Sequence, residues 1–250
     1  MNKLNNAFFF DIDGTLSEGG IIPDSAIMAL KMLRANGDLV FLSTGRCLSM
    51  LNDVLSKIEV DGAILNNGAL AIVNNEIIFE SVIDKNIIKN MIDNKLHVAL
   101  LTKDKYLRIN DNDLAFDRFC SYFNIDLPIV VDNLNTDAYS LGVYDLNLNN
   151  IDINSYPSLA FVKACRYGYD VFNKGINKSV PLKKFKGLFK GYKFIAFGDN
   201  YNDIEILKSV DVSICMKKSP QIVKDAATYQ TLDVNEDGIM YALKNIINVL

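Results

Sequence analysis

Two carboxylates, Asp11 and Asp13, flank Ile12 directly after the apolar run Ala7–Phe10, and Gly14 and Thr15 follow them. On an extended chain, residues two apart face the same side, roughly 7 Å from each other. Like charges so placed in a crevice repel unless a cation or a shared proton-handling role joins them. Oxygen donors of this kind suit a hard cation such as Mg2+. Taken alone, the same residues equally describe a solvated turn in which Gly14 supplies a positive φ.

A second cluster, Gly198-Asp199-Asn200-Tyr201-Asn202-Asp203, follows the apolar segment Lys193–Phe197 and adds two carboxylates and two amides. A third, Ser43-Thr44-Gly45-Arg46, follows Leu39–Leu42. There a hydroxyl and backbone amides at a strand-to-helix turn can cradle a phosphate. Singly, each cluster is an ordinary helix cap. Lys178, in Gly175-Ile176-Asn177-Lys178-Ser179, stands at a predicted helix start, where the helix dipole disfavours a cation unless an anion is near. Singly, it reads as a solvated surface lysine. Three polar clusters, each closing an apolar strand, are hard to explain as three independent caps.

Composition narrows the chemistry further. The 250 residues carry 26 Lys+Arg against 30 Asp+Glu, a formal net charge of −4, with 50% hydrophobic residues. That balance excludes intrinsic disorder, and the absence of a basic run speaks against nucleic-acid binding. His97 is the single histidine, so a histidine triad or multi-histidine metal site would depend on it alone. Cys47, Cys120, Cys165 and Cys215 form no C-x-x-C and fit a reducing compartment. Carboxylates remain as the chemical agents. No apolar run approaches the roughly 20 residues of a membrane span, and Met1–Ala7 does not read as a signal peptide, so the expectation is a cytoplasmic protein without a membrane partner.

The elements that must hold these clusters alternate. Strands are predicted at Ala7–Phe10, Leu39–Leu42, Ala63–Leu65, Lys193–Phe197 and Val210–Cys215. Helices are predicted from Pro23-Asp24 to Asn36-Gly37 (with Ile27, Leu30, Met32 and Leu33 apolar), and over Leu48–Ile58, Val180–Phe189, Asp203–Lys208, Pro220–Ala227 and Gly238–Val249. Asn74-Asn75 reads as a hairpin turn. Short buried strands alternating with helices imply an α/β fold, a doubly wound parallel sheet whose ligand crevice lies at the carboxyl ends of the strands. The middle differs, with helices over Asn86–Lys95 and Asp113–Tyr122 among several strands. The expected organisation is a core of residues 1–81 and 176–250 with an inserted α+β cap over 82–175.

The clusters together resemble the haloacid dehalogenase (HAD) superfamily of phosphohydrolases, in particular its Cof-type branch with an α/β cap. Asp11-x-Asp13-Gly-Thr15-Leu16 is similar to the first family motif, Thr44-Gly45-Arg46 to the second, Lys178 to the third, and Gly198-Asp199-x-x-Asn202-Asp203 to the fourth. Asn66-Asn67-Gly68-Ala69 is similar to the N-G-A turn of the family. The resemblance implies that Asp11 is the nucleophile, that Asp13 protonates the leaving oxygen and later activates water, and that Lys178 offsets phosphoryl charge. It further implies that Thr15, Thr44, Gly45, Arg46 and Asn202 bind the phosphate. Asp11, the Asp13 carbonyl and Asp199 would hold Mg2+, with Asp203 supporting it. Three departures stand out: Cys47 where proline is usual, Ser179-Val180-Pro181 after the lysine, and Lys217-Lys218 where Gly-Asn is usual.

The expected function is therefore a Mg2+-dependent phosphatase that hydrolyses a small phosphorylated metabolite, such as a sugar phosphate, through an aspartyl-phosphate. A phosphomutase of the same superfamily and a non-catalytic sugar-phosphate sensor are the alternatives. Asp233-Val-Asn235-Glu-Asp237-Gly238 reads like the front of a calcium loop, but its twelfth position is Lys244 rather than glutamate. His97, Tyr167 and Tyr169 are expected to be structural.

Overall fold

The computed structural model describes residues 5–109, 113–123 and 126–250. A run that is apolar at every residue can be a strand only where both faces are covered, and β1 (Asn6–Phe10) is buried throughout. It is followed by β2 (Leu39–Ser43), β3 (Gly62–Leu65), β4 (Leu70–Val73) and β5 (Glu76–Glu80). Next come β6 (His97–Leu101), β7 (Tyr106–Arg108), β8 (Ile129–Val130), β9 (Ser140–Tyr144), β10 (Leu159–Cys165) and β11 (Gly168–Asn173). β12 (Lys193–Gly198), β13 (Val212–Cys215) and β14 (Tyr229–Gln230) end the series. The α-helices are α1 (Asp24–Ala35), α2 (Asn52–Leu55), α3 (Lys85–Asp93), α4 (Leu114–Phe123), α5 (Leu182–Leu188), α6 (Ile204–Ser209), α7 (Gln221–Ala226) and α8 (Gly238–Tyr241).

The chain divides into two compact units. The first comprises Met1–Gly45, Asn52–Phe79 and Asn177–Leu250, and the second Arg46–Leu51 and Glu80–Ile176. In the first, eight strands form a sheet in the order β14-β13-β12-β1-β2-β3-β4-β5. The pairs from β14 to β3 are all parallel, and β3–β4 is antiparallel. Strand order runs outward from β1 through β2 and β3, then resumes on the other side of β1 at β12, so β1 and β12 form the topological switch point of an α/β fold. The core beneath is aromatic. Phe9 stacks on Phe41 at 5.0 Å and meets Phe185 edge-on at 5.1 Å, and all three are fully buried. Truncating such a side chain to alanine typically costs about 3–5 kcal/mol.

The second unit has a sheet in the order β10-β11-β9-β6-β7-β8, antiparallel except for β7–β8. Its core packs Ile88 and Met91 of α3 against Val98, Leu100, Leu141 and Val171. His97 opens β6 and hydrogen-bonds Asp113, while Tyr167 is buried among Phe116, Phe119 and Tyr144 and Tyr169 packs on Phe161.

Several elements differ from the sequence reading. The helix expected over Leu48–Ile58 is a 3-10 turn at Leu48–Leu51 followed by the single turn of α2. The Leu48 amide, which as the first of the turn has no helical acceptor, donates to the Lys103 carbonyl at 3.3 Å within the second unit. Along α1 the buried stripe is Ala26, Ala29, Leu30 and Leu33, and Met32 is exposed. The helix expected over Gly238–Val249 is α8 followed by a wider turn at Ala242–Ile246, where the Ile247 amide reaches back five residues to Ala242. β8 and β14, two residues each, carry no periodic signal. No helix among the described residues is long and apolar enough to cross a membrane.

Candidate active site

Parallel pairing of β2, β1 and β12 sets their carboxyl ends side by side. In register Phe10 lies opposite both Leu42 and Phe197, so Asp11, Thr44 and Asp199 emerge at one sheet edge. The Asp11 amide continues the ladder, donating to the Phe197 carbonyl at 3.0 Å. The strand itself stops at Phe10. The chain then turns, with the Leu16 amide bonded to the Asp11 carbonyl and the Ser17 amide to the Ile12 carbonyl. The extended-chain argument for Asp11 and Asp13 therefore does not apply: Asp11 is buried and Asp13 is exposed.

Lys178 is the centre of the site. It is fully buried, and its Nζ donates to Asp11 Oδ1 and to Asp203 Oδ1, each at 2.7 Å. It lies in the turn before α5 rather than on the helix, because helical geometry begins only at Leu182. The second oxygen of Asp203 accepts from the backbone amides of Asp199 and Asn200 at 3.0 and 3.1 Å, closing the loop after β12. Asp203 thus ties the lysine to the loop that carries Asp199. Thr15 Oγ1 donates to Asp199 Oδ1 at 2.8 Å, linking the turn after β1 to the same loop. Gly14, at φ +90°, suits glycine: a side chain there would be strained, and its Cβ, 2.4 Å from Asp199 Oδ2, would displace that carboxylate.

Ligand oxygens of Asp11, Asp199 and Asp203 lie within 4.8 Å of one another. Three carboxylates thus face one ammonium. Burial raises the Asp11 pKa well above the ordinary carboxylate value; Lys178 opposes this, and Asp203 and Asp199 add to it. Asp199 is pushed up to about 6, by burial first and by Asp203 next. Burial works against the charge of Lys178, but Asp11 and Asp203 outweigh it and hold its pKa above the usual lysine value. An all-oxygen donor set with surplus negative charge fits a hard divalent cation. The Asp13 carboxylate is not in this group.

The other residues singled out in the sequence lie as follows. Thr44 is buried; its amide donates to the Ile64 carbonyl and its carbonyl accepts from the Asn67 amide. Gly45 packs against the Asn67 side chain, which a Cβ would approach to 3.0 Å. Asn202 Nδ2 donates to Asn67 Oδ1 at 3.0 Å. Asn67 is therefore a residue of the site that the sequence reading held only as part of a turn; it sits at a left-handed φ of 53°, as asparagine often does in turns, so its residue type alone did not set it apart. Arg46 falls in the second unit, where its Nη1 donates to the Met50 carbonyl at 3.1 Å. The calcium-like segment is engaged otherwise: Asp233 and Glu236 form a capping box, and Glu236 pairs with Lys217.

Gly68 decides how closely the Asn66–Gly68 turn approaches the lysine. At φ +97°, its added Cβ would lie 2.0 Å from the Asn177 carbonyl oxygen, a backbone atom beside Lys178. Gly68→Ala is expected to destabilise the protein by about 2 kcal/mol or more, combining backbone strain with overpacking. A urea unfolding midpoint unchanged from the parent protein would contradict this account.

A family model described as haloacid dehalogenase-like hydrolase matches residues 8–243. The chain is similar to YkrA of Bacillus subtilis (strain 168), a protein named as a phosphatase, with 25% identity over 248 residues that cover 95% of this chain and 96% of that one. Among solved structures it is similar in fold to a hypothetical protein from Geobacillus kaustophilus HTA426, at a TM-score of 0.90 and 24% identity, covering 98% and 99% of the two chains. It is also similar to a sugar phosphatase of HAD subclass IIB, at a TM-score of 0.81 and 27% identity, covering 98% and 100%.

Proposed function

The chain belongs to the haloacid dehalogenase-like hydrolases and is a phosphatase, and on that footing we propose that it hydrolyses a small phosphorylated metabolite, such as a sugar phosphate, by way of a phosphorylated Asp11. The observation that carries this reading is the buried Lys178 shared by Asp11 and Asp203, with Asp199 beside them. A carboxylate held by an ammonium in a dry crevice is oriented for attack, and the ammonium can offset charge on a transferring phosphoryl group.

In the first step the Asp11 carboxylate attacks phosphorus and the ester P–O bond breaks. Asp13, exposed on the turn, gives its proton to the departing oxygen. In the second step Asp13 takes a proton from water, the water oxygen bonds to phosphorus, and the Asp11–phosphorus bond breaks to release inorganic phosphate. Thr15, Thr44, Gly45 and Asn202 are assigned to the phosphoryl oxygens. Asp11, Asp199 and the Asp13 carbonyl would hold Mg2+, with Asp203 in support, and the cation would neutralise charge on the phosphoryl oxygens. The core of residues 1–81 and 176–250 is assigned the chemistry, and residues 82–175 the choice of ester. A cytoplasmic location suits such a substrate.

The test is release of inorganic phosphate from a panel of phosphorylated metabolites and an aryl phosphate. Phosphate release that stops with EDTA and returns with Mg2+ is the expected result, and full activity in chelator would remove the metal from the reading. Binding has a second readout. Because three carboxylates share a single ammonium, millimolar Mg2+ is expected to raise the thermal unfolding midpoint, and an unchanged midpoint would count against the assigned ligands.

A further inference from the structure

The turn that carries Asp13 runs into a hairpin closed by reciprocal backbone bonds between Glu18 and Ile21, each 3.1 Å long. Gly19 and Gly20 at its tip have positive φ, and nothing lies within 4 Å of the place a Cβ would take. Ile21 is 70% exposed. Two glycines in open space leave such a tip mobile unless something ties it down. Beside the stem of the hairpin, Gly14, Glu18, Asp199, Lys218 and Ser219 line a cavity of about 330 Å³.

Glu18 supplies the tie. Lys218 Nζ donates to its Oε1 at 3.1 Å, and Asn235 Nδ2 donates to its Oε2. Lys218 is itself anchored, with its amide bonded to Asp233 Oδ1 at 2.9 Å and its Nζ 3.7 Å from Asp233 Oδ2. Asp233 is buried and belongs to the capping box with Glu236, which pairs with Lys217. The mechanism above gives neither lysine a part.

We propose that Glu18 and Lys218 are positioning residues that clamp the turn after β1 to the loop after β13, so that Asp13 is aimed at the leaving oxygen. The inference rests on the reading of Asp13 as the proton donor. Proton transfer is sensitive to placement on the scale of an ångström, and the backbone bonds Gly14 to Ser17 (2.8 Å) and Ser17 to Ile12 (2.7 Å) transmit any shift of Glu18 to Asp13.

The experiment compares kcat/KM for glycerol 2-phosphate, whose leaving alkoxide needs a proton, with p-nitrophenyl phosphate, whose leaving group does not. Lys218→Ala and Glu18→Gln are expected to lower kcat/KM for the alkyl ester roughly threefold to fivefold, as suits an exposed ion pair, and for the aryl ester less than twofold. Lys218→Arg is expected to restore the alkyl activity, and the thermal midpoints should stay near that of the parent. Equal losses on both esters, or no loss on either, would overturn the clamp. Asp13→Asn run alongside separates the two levels. If its own loss does not depend on the leaving group, the proton-donor reading fails and the clamp with it. If it does depend on the leaving group while Lys218→Ala does not, the clamp alone fails.

Discussion

Asp11→Asn is expected to abolish turnover, and Asp13→Asn to yield a protein that keeps a phosphoryl group. The two carboxylates belong to one turn but meet different surroundings: Asp11 is buried against Lys178, while Asp13 is exposed. An amide at position 11 cannot form the acyl phosphate, so no covalent species should appear. With asparagine at position 13 the nucleophile remains, and an activated aryl ester can still phosphorylate it slowly. Hydrolysis of the acyl phosphate then loses its general base, a contribution of about 10²–10⁴-fold. Intact-protein mass spectrometry after an acid quench should find one added phosphoryl group on Asp13→Asn and none on Asp11→Asn. Phosphorylation of Asp11→Asn at another residue would overturn the assignment of the nucleophile.

Lys178→Met is expected to cost both activity and stability. The ammonium is fully buried and bonded to two carboxylates at 2.7 Å each, so its removal leaves uncompensated charge away from water. Breaking a buried pair from one side typically costs about 3–5 kcal/mol, far more than the median surface ion pair. The urea midpoint should fall accordingly, and millimolar Mg2+ should recover part of the loss by supplying the missing positive charge. Turnover should not recover with it, because the phosphoryl group loses the ammonium that faces it. A variant as stable as the parent would mean that the site carboxylates are neutral rather than held by charge.

Much of the fold was legible because the relevant signals are local. Continuous apolar runs mark β1, β2 and β12, since a strand covered on both faces has no polar side to show. Asn74 and Asn75, at φ 49° and 67°, make the turn their residue types predict. The helix over Leu48–Ile58 starts as a 3-10 turn and continues as α2, a change of helical type that residue spacing does not mark.

The site divides in the same way. Sequence alone determined which residue types close each strand, and hence that Asp11, Thr44 and Asp199 share one sheet edge once the strands are parallel neighbours. It left Lys178 open between surface and site, because burial is a property of what packs around a residue. Only the tertiary structure decided that this lysine is bonded to Asp11 and Asp203 and that Asp13 turns outward from Asp11. The same holds for Asn67, which reaches Asn202 from the neighbouring turn. Each of these joins segments far apart in the chain, or depends on where a strand gives way to a turn. The strength of a charge pair is likewise set by the water excluded around it, which residue spacing does not encode.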